Sequence, residues 1–154
     1  MKTKTLLLTL VALFAAGSVC FADPQMGTWK LNEAKSKITP GTQKNTKVVY
    51  ESAGGKVKIA TDGIDADGKA THVEWTGKFD GKDYPATGDT GYSDARSYKK
   101  IDDRTLEFSV KKGGKVMATG RVVVAADGKS RTVTVSGTTR EGKKFKNTSV
   151  YDKQ

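Results

Sequence analysis

The sequence has 154 residues, with 27 basic and 17 acidic side chains and a formal net charge of +10. A single cysteine excludes an internal disulfide. One cysteine and one histidine together are too few for a zinc centre of the Cys/His type. So positive a chain favours anionic partners, although charge alone does not name them.

The first 22 residues have the order of a secretory signal peptide. Lys2 and Lys4 precede the apolar run "LLLTLVALFAAGSVCFA", which ends in small residues and predicts cleavage after Ala22. Cleavage takes 22 of the 154 residues and leaves 132, residues 23–154, which predicts one domain with one core. It also removes Cys20 and two lysines, so the net charge falls from +10 to +8. We therefore expect a periplasmic or secreted protein.

Two other interpretations of this segment are weighed against the signal peptide. A stop-transfer helix needs about 20 apolar residues to cross a bilayer, which is more than the run contains. Lipidation at Cys20 is the other, but Val19 is bulkier than the residue that usually precedes a lipoprotein cysteine. The signal peptide is the interpretation that fits the pattern best.

A short glycine-lysine pattern recurs along the rest of the chain. It occurs twice as "ADGK" and once each as "AGGK", "FDGK", "KGGK" and "REGK". Asp-Gly and Gly-Gly supply the positive φ angles of tight hairpins, so each copy predicts a turn between antiparallel strands. The glycines of these turns are Gly55, Gly68, Gly81, Gly114, Gly128 and Gly142.

The segments between the turns alternate apolar and polar residues. In "THVEWTGKF", Val73, Trp75, Gly77 and Phe79 share one face, and "TLEFSV" alternates in the same way. A period of two predicts strands, and after Leu31 no helical period is sustained; "NEAKSK" is the one stretch suited to a short helical turn.

The strand count predicts an all-β fold. We expect about ten strands, the first at Met26–Leu31 and nine more from Thr46 to the C-terminus, in an antiparallel up-and-down meander that closes into a barrel and so removes its edges. A Greek-key sandwich is the alternative, but it needs long crossovers, and the segment between Asn32 and Asn45 is the one long enough.

The first and last predicted strands both resemble those of one protein family. Gly27-Thr28-Trp29 is similar to the G-x-W of the first strand of calycins, the superfamily of lipocalins and intracellular fatty-acid-binding proteins. The last strand of the latter often carries R-x-Y followed by an acidic and a basic residue, and here it is Ser149-Val150-Tyr151-Asp152-Lys153. The resemblance implies a calycin-like barrel that is plugged by Trp29 and binds a ligand inside. Ser149 replaces the arginine that holds a ligand carboxylate in that family.

Six residues are therefore candidates for ligand binding. Trp75, Phe108 and Tyr151 belong to the predicted interior, while Arg96 and Tyr98 share one strand face and offer a substitute for the missing R-x-Y. Arg121 is a further candidate, although the apolar residues around it leave its face ambiguous. An arginine inside a barrel favours a carboxylate ligand, because a buried unpaired charge is unfavourable.

The sequence does not favour catalysis. It lacks G-x-S-x-G and phosphate-binding loops, and we expect no cofactor, no metal and no catalytic residues. His72 is predicted to face solvent, and "DGIDADG" lacks the glutamate that a calcium loop needs at its twelfth position, where Val73 stands.

Charge is distributed unevenly between the two predicted ends. Alternate turns of a meander lie at the same end, and the end with the link between the first two strands has an excess of bases, whereas the other is balanced. The resemblance makes this basic end the ligand entrance. A purely solubilising role for these lysines is the alternative. The predicted basic patch is Lys69, Lys111, Lys112, Lys115, Lys143 and Lys144.

The leading hypothesis is a monomeric, lipocalin-like binding protein for a small apolar or anionic amphiphilic ligand. The alternative is a cavity-free barrel that binds a protein partner or an anionic membrane or polysaccharide surface. Nucleic acid is not an expected partner, because no aromatic residues interleaved with lysine form a stacking platform.

Overall fold

Strands make up most of the described protein. The structure, a computed structural model, describes residues 22–88 and 91–154. The predicted signal peptide lies outside these residues except for Ala22. The strands are β1 (Gly27–Lys37), β2 (Lys44–Ala53), β3 (Lys56–Ile64), β4 (Ala70–Gly77), β5 (Asp80–Gly88), β6 (Ala95–Lys100), β7 (Thr105–Lys112), β8 (Lys115–Val124), β9 (Ser130–Thr138) and β10 (Lys144–Lys153).

The ten strands form a closed antiparallel barrel. Each strand pairs with the next, and β1 closes the ring by pairing with both β2 and β10. This confirms the predicted all-β meander and shows that the Greek-key alternative was wrong. The described residues contain no helix, and therefore none that could cross a membrane.

Five of the six glycine-lysine copies lie in turns between strands, as predicted, and the sixth places Gly81 at the start of β5, where the pairing with β6 is irregular. All six of its glycines have positive φ, between 70° and 83°. In two copies the aspartate before the glycine accepts a hydrogen bond from the lysine backbone N–H, at 3.0 Å from Lys82 to Asp80 and 2.9 Å from Lys129 to Asp127. The acidic residue therefore stabilises the bend of the backbone. The lysine of the pattern lies at or close to the start of the next strand.

The segment "NEAKSK" is a strand with an irregularity instead of a helical turn. Its partners on β10 advance by two residues, from Val150 to Thr148, while β1 advances by five, from Asn32 to Lys37. The extra residues bulge outward, and the Ser36 hydroxyl donates to the Asn32 carbonyl at 2.7 Å. Local side-chain bonds therefore satisfy the backbone where the ladder is interrupted, which corrects the sequence-based expectation.

Aromatic packing fills one side of the barrel. Val73 and Trp75 are buried on the predicted face of β4, and the Trp75 ring stacks on Phe79 at 6.4 Å and meets Tyr98 at 4.7 Å between centroids. The Trp75 Nε1 group donates to the Arg96 carbonyl at 2.9 Å. This side of the interior is therefore a packed core, and the remaining space lies beside it.

Candidate functional site

The barrel contains an internal cavity of about 230 Å³. It reaches the surface at the end where β1 joins β2, and we call this opening the mouth. The mouth is lined by Gly41, Thr42, Gln43, Asp65, Ala66, Asp67, Tyr92, Thr139, Arg140 and Glu141. A volume of roughly 10–15 Å³ accommodates one water, so this cavity has room for a small organic molecule. The cavity contradicts the cavity-free alternative.

The opposite end, which we call the base, is closed by the first strand and the residues before it. Trp29 is fully buried there, next to Lys153 of β10 in the strand register. Its Nε1 group donates to the Gln25 carbonyl at 2.9 Å, and the buried Gln25 side chain donates to the Arg104 carbonyl at 3.0 Å. These bonds tie the chain before β1 across the base.

The wall of the cavity is largely apolar and aromatic. Inward-facing residues of β2, β6, β7, β8, β9 and β10 contribute to it, because successive residues of a strand point to opposite faces. Its apolar and aromatic members are Val48, Tyr50, Tyr98, Phe108, Val110, Ala118, Val122, Val133, Val135, Phe145 and Tyr151. Such a wall favours a ligand with an apolar body.

Arg96 brings a positive charge into this wall. It is the second residue of β6, which begins at the mouth end, and its side chain is buried with 8% exposure. One Nη group donates to the Ser93 hydroxyl at 3.4 Å, and Nε has no hydrogen-bond partner among the described residues. No ion pair within the described chain compensates this guanidinium.

Arg131 brings a second positive charge to the other end of the cavity. It is the second residue of β9, which begins at the base, and is 2% exposed. Its guanidinium carbon lies 4.7 Å from the Trp29 and Tyr50 ring centroids and 5.2 Å from that of Tyr151. The aromatic faces stabilise the cation, but Nε and Nη1 have no hydrogen-bond acceptor in the described part of the chain.

The tyrosines around Arg131 are neutral at ordinary pH. Burial raises the pKa of Tyr50 to about 12, although the neighbouring Arg131 cation acts in the opposite direction. Burial also raises the pKa of Tyr151, whose hydroxyl donates to the Asn45 carbonyl at 3.0 Å. Neither phenol therefore supplies a negative charge to the cavity.

Four of the six predicted ligand-binding residues line the cavity. Arg96, Tyr98, Phe108 and Tyr151 all face it, as the alternation of their strands predicts. The structure thus brings together residues from β6, β7 and β10 that are distant in sequence. Whether they bind a ligand remains a prediction.

The other two predicted residues lie elsewhere. Trp75 is packed among aromatic rings in the barrel core and is absent from the cavity lining. Arg121 points outward and forms an ion pair with Glu107 on the neighbouring strand. The structure therefore corrects the expectation that Arg121 could hold a ligand inside the barrel, since inward and outward residues alternate and Val122 is the inward neighbour.

The predicted basic patch does not form the mouth. Its six lysines belong to the same end of the barrel as the mouth, but none lines the cavity. Lys111 instead pairs with Asp83 at 2.7 Å, and Lys143 lies 3.9 Å from Glu141. Arg140 is the cation at the mouth, beside Asp65, Asp67 and Glu141. The lining of the mouth is therefore of mixed charge, and the attraction of an anionic ligand by the six lysines at this end stays a prediction.

Arg131 is the cavity residue that the sequence interpretation missed. The alternation of "RTVTVSG" places it in phase with Val133 and Val135. Both of these valines line the cavity, as does Arg131. The alternation of β9 therefore indicated the inward position of Arg131, but a charged residue at a strand end is more often exposed.

The single histidine lies outside the barrel, as predicted. His72 Nδ1 is 2.6 Å from the Asp62 carboxylate, and Nε2 is 3.5 Å from Glu74. The hydrogen bond to Asp62, and to a lesser extent that to Glu74, raises the pKa of His72. The described residues contain no group of three or more histidine, cysteine, aspartate or glutamate side chains placed to hold a metal ion.

Comparisons with known proteins do not assign this site. No protein-family model matches the chain, and a search of curated proteins gives no significant match. Among solved structures, the chain is similar to one described as "Structure of a redesigned beta barrel, mFAP1, bound to DFHBI". That similarity has 16% sequence identity and a TM-score of 0.43, over 84% of this chain and 95% of the other. The site must therefore be interpreted from its own geometry.

Proposed function

We propose that this protein binds a small apolar or anionic amphiphilic ligand inside its barrel and acts as a calycin-like binding protein of the periplasm or the extracellular space. The cavity carries this proposal: it has an apolar and aromatic wall, one open end and a buried arginine near the mouth. Concave apolar sites with a few placed polar groups are typical of small-molecule sites.

The size of the cavity favours a short ligand. Sites for drug-sized molecules have volumes of about 300–1,000 Å³, and this cavity, at about 230 Å³, is smaller. A long acyl chain would therefore have to extend through the mouth. A compact molecule with an apolar middle matches both the volume and the wall.

The position of Trp29 supports the calycin resemblance. In that family the tryptophan of G-x-W plugs the closed end of the barrel, and Trp29 occupies the base beside the final strand. Tyr151 of the last strand faces the cavity, although Ser149 stands in place of the family arginine. Arg96 and Arg131 supply the positive charge from other strands.

A binding role rather than a catalytic one is part of the proposal. The cavity wall contains arginine, tyrosine and apolar side chains, and among the described lining residues no pair has the arrangement of a nucleophile and its base.

Export is proposed from the signal-like segment before Asp23. Mass measurement of the exported chain should give an N-terminus at Asp23; an uncleaved chain would contradict the proposed signal peptide.

The first experiment measures binding of a fluorescent amphiphile. Anilinonaphthalene sulfonate is titrated into the purified protein and into two variants with the same added bulk. Ala118→Phe places a ring in the cavity wall, whereas Thr119→Phe places it on the outer face of the same strand. We expect saturable binding that Ala118→Phe abolishes and Thr119→Phe retains.

Native mass spectrometry complements this titration, because it detects a molecule that is already bound after gentle purification. The proposal is contradicted if the probe fails to bind and no small molecule accompanies the protein. It is also contradicted if Ala118→Phe, shown by circular dichroism to be folded, binds the probe as well as the unchanged protein. Binding to the outer surface would give this last result.

A further inference from the structure

Two positive charges face one cavity, and no buried carboxylate of residues 22–88 or 91–154 lies beside them. Arg96 and Arg131 are 8% and 2% exposed, and both line the cavity. The described carboxylates that line it are Asp65, Asp67 and Glu141, and all three lie in turns at the mouth. The buried part of the cavity therefore carries two uncompensated guanidinium groups.

The described part of the chain does not neutralise either charge. Arginine stays protonated in proteins, and the phenols of Tyr50 and Tyr151 are neutral, because burial raises their pKa. Transfer of an ion out of water is unfavourable even after the surroundings relax. The three aromatic rings around Arg131 offset part of this cost. Among the described residues, no aromatic ring makes such a contact with Arg96.

The two charges lie toward opposite ends of the cavity. Arg96 follows the first residue of β6, which starts at the mouth, and Arg131 follows the first residue of β9, which starts at the base. The wall between them is apolar and includes Phe108, Val122 and Val133. Each guanidinium also has at least one N–H group without an acceptor among the residues that the structure describes, Nε on Arg96 and both Nε and Nη1 on Arg131.

We propose that the ligand of this cavity carries two acid groups on a short apolar body, one bound by Arg96 near the mouth and the other by Arg131 at the base. This inference rests on the proposed ligand-binding function and specifies the class of ligand. A molecule with two acids balances both charges and supplies acceptors for the free N–H groups. A molecule with one acid leaves one guanidinium buried and uncompensated.

Isothermal titration calorimetry with matched probes tests the inference. Adipate and suberate are compared with hexanoate and octanoate, and with hexanediol and octanediol, so that chain length is constant within each set. A hydrogen bond to a charged group contributes about 1.5–3 kcal/mol, so we expect each diacid to bind roughly 10- to 100-fold more tightly than its monoacid. The diols should bind most weakly.

Two arginine variants locate the first acid group. Arg96→Gln should reduce the affinity for suberate to near that of octanoate for the unchanged protein. Arg121→Gln removes an arginine from the outer face of the barrel and should leave suberate binding unaltered. Circular dichroism establishes that Arg96→Gln is folded, and the probe comparison on the unchanged protein tests the inference independently of any variant.

The outcomes separate this inference from the proposed function. If monoacids or diols bind as tightly as diacids, or if folded Arg96→Gln binds suberate normally, the two-acid assignment is wrong and the binding function stands. The same holds if anilinonaphthalene sulfonate binds inside the barrel and the diacids do not. If neither the fluorescent probe nor any of the acids and diols binds, the proposed function fails and the inference fails with it.

Discussion

The guanidinium carbon of Arg131 lies 4.7 Å from the centroid of the Trp29 ring, and the two side chains together close the base of the barrel. Lys153 contributes a second cation, with Nζ 5.1 Å from the same ring. Trp29 thus joins β1 to residues of β9 and β10, the strands that complete the ring. Arg131 therefore contacts the residue that closes the barrel, which matters for stability, and also places its charge at the cavity.

Trp29 should be one of the most destabilising positions to truncate. Trp29→Ala removes a fully buried indole and leaves a void at the base, which costs about 3–5 kcal/mol in the free energy of unfolding. Trp29→Phe retains most of the packing but loses the bond to the Gln25 carbonyl, so the loss should be smaller. Urea denaturation measures both, and equal losses would contradict a role based on packing.

Removal of the buried charge near the mouth should stabilise the protein without ligand. The double variant Ser93→Ala/Arg96→Met replaces the guanidinium and the hydroxyl that accepts its hydrogen bond in the described structure with apolar groups. Because replacement of buried charges by apolar groups is often stabilising by about 1–4 kcal/mol, we expect a higher free energy of unfolding. Destabilisation by this variant would show that the charge is compensated within the protein.

The matched control for that double variant lies on the outside of the barrel. Glu107→Ala/Arg121→Met removes an exposed ion pair on β7 and β8. Exposed pairs contribute about 0–1 kcal/mol, so the control should be neutral or slightly less stable. Thermal denaturation of the two double variants without ligand, run side by side, shows whether their stability changes in opposite directions.

Alkaline pH should destabilise the barrel through Tyr50. Its pKa is raised by burial to about 12 in the folded protein, whereas an unfolded tyrosine ionises near 10. The unfolded state loses this proton first, so the stability is fully present below pH 10 and falls as the pH rises through about 12. The expected loss is roughly 2–3 kcal/mol. Tyr50→Phe should flatten this part of the pH profile, which denaturant titrations at several pH values measure.

His72 should titrate above its ordinary pKa of 6.5, because the Asp62 carboxylate accepts a hydrogen bond from the charged ring. A raised folded pKa means that the stabilisation is complete below pH 6.5 and is lost as the pH rises through the folded value. The chain has one histidine, so a single NMR resonance reports this pKa. Asp62→Asn should lower it more than Glu74→Gln does, and the reverse order would contradict the assigned cause.

Local patterns were sufficient to predict most of the fold. Each turn glycine indicates a positive φ angle within a four-residue motif. The polar residues that alternate with Val73 and Trp75 show which face of that strand is buried. Both patterns depend on residues close together in the sequence, so they can be recognised without knowing which strands pair. The prediction failed between Asn32 and Lys37, where a helix-compatible sequence forms an interrupted strand because β10 supplies the pairing.

The candidate site was only partly predictable. Arg96 and Tyr98 were expected to share a face, and both line the cavity. Arg121 was ambiguous because valines occupy both faces of its strand: Val122 and Val124 are buried, whereas Val123 is 42% exposed. Alternation distinguishes the faces only when they differ in polarity, so the direction of Arg121 required the register of β8 with β7 and β9.

The sequence by itself determined where the chain turns, which residues alternate and that ten strands result, since these depend on backbone conformation and local polarity. The tertiary structure decided that the interior is partly open, that the lysines lie outside its mouth, and that Arg96 and Arg131 face one space. These relationships depend on the closure of β1 with β10, which fixes the mutual position of strands distant in sequence. Two charges buried within one barrel can constrain the chemistry of a molecule bound there only when that closure has brought them together.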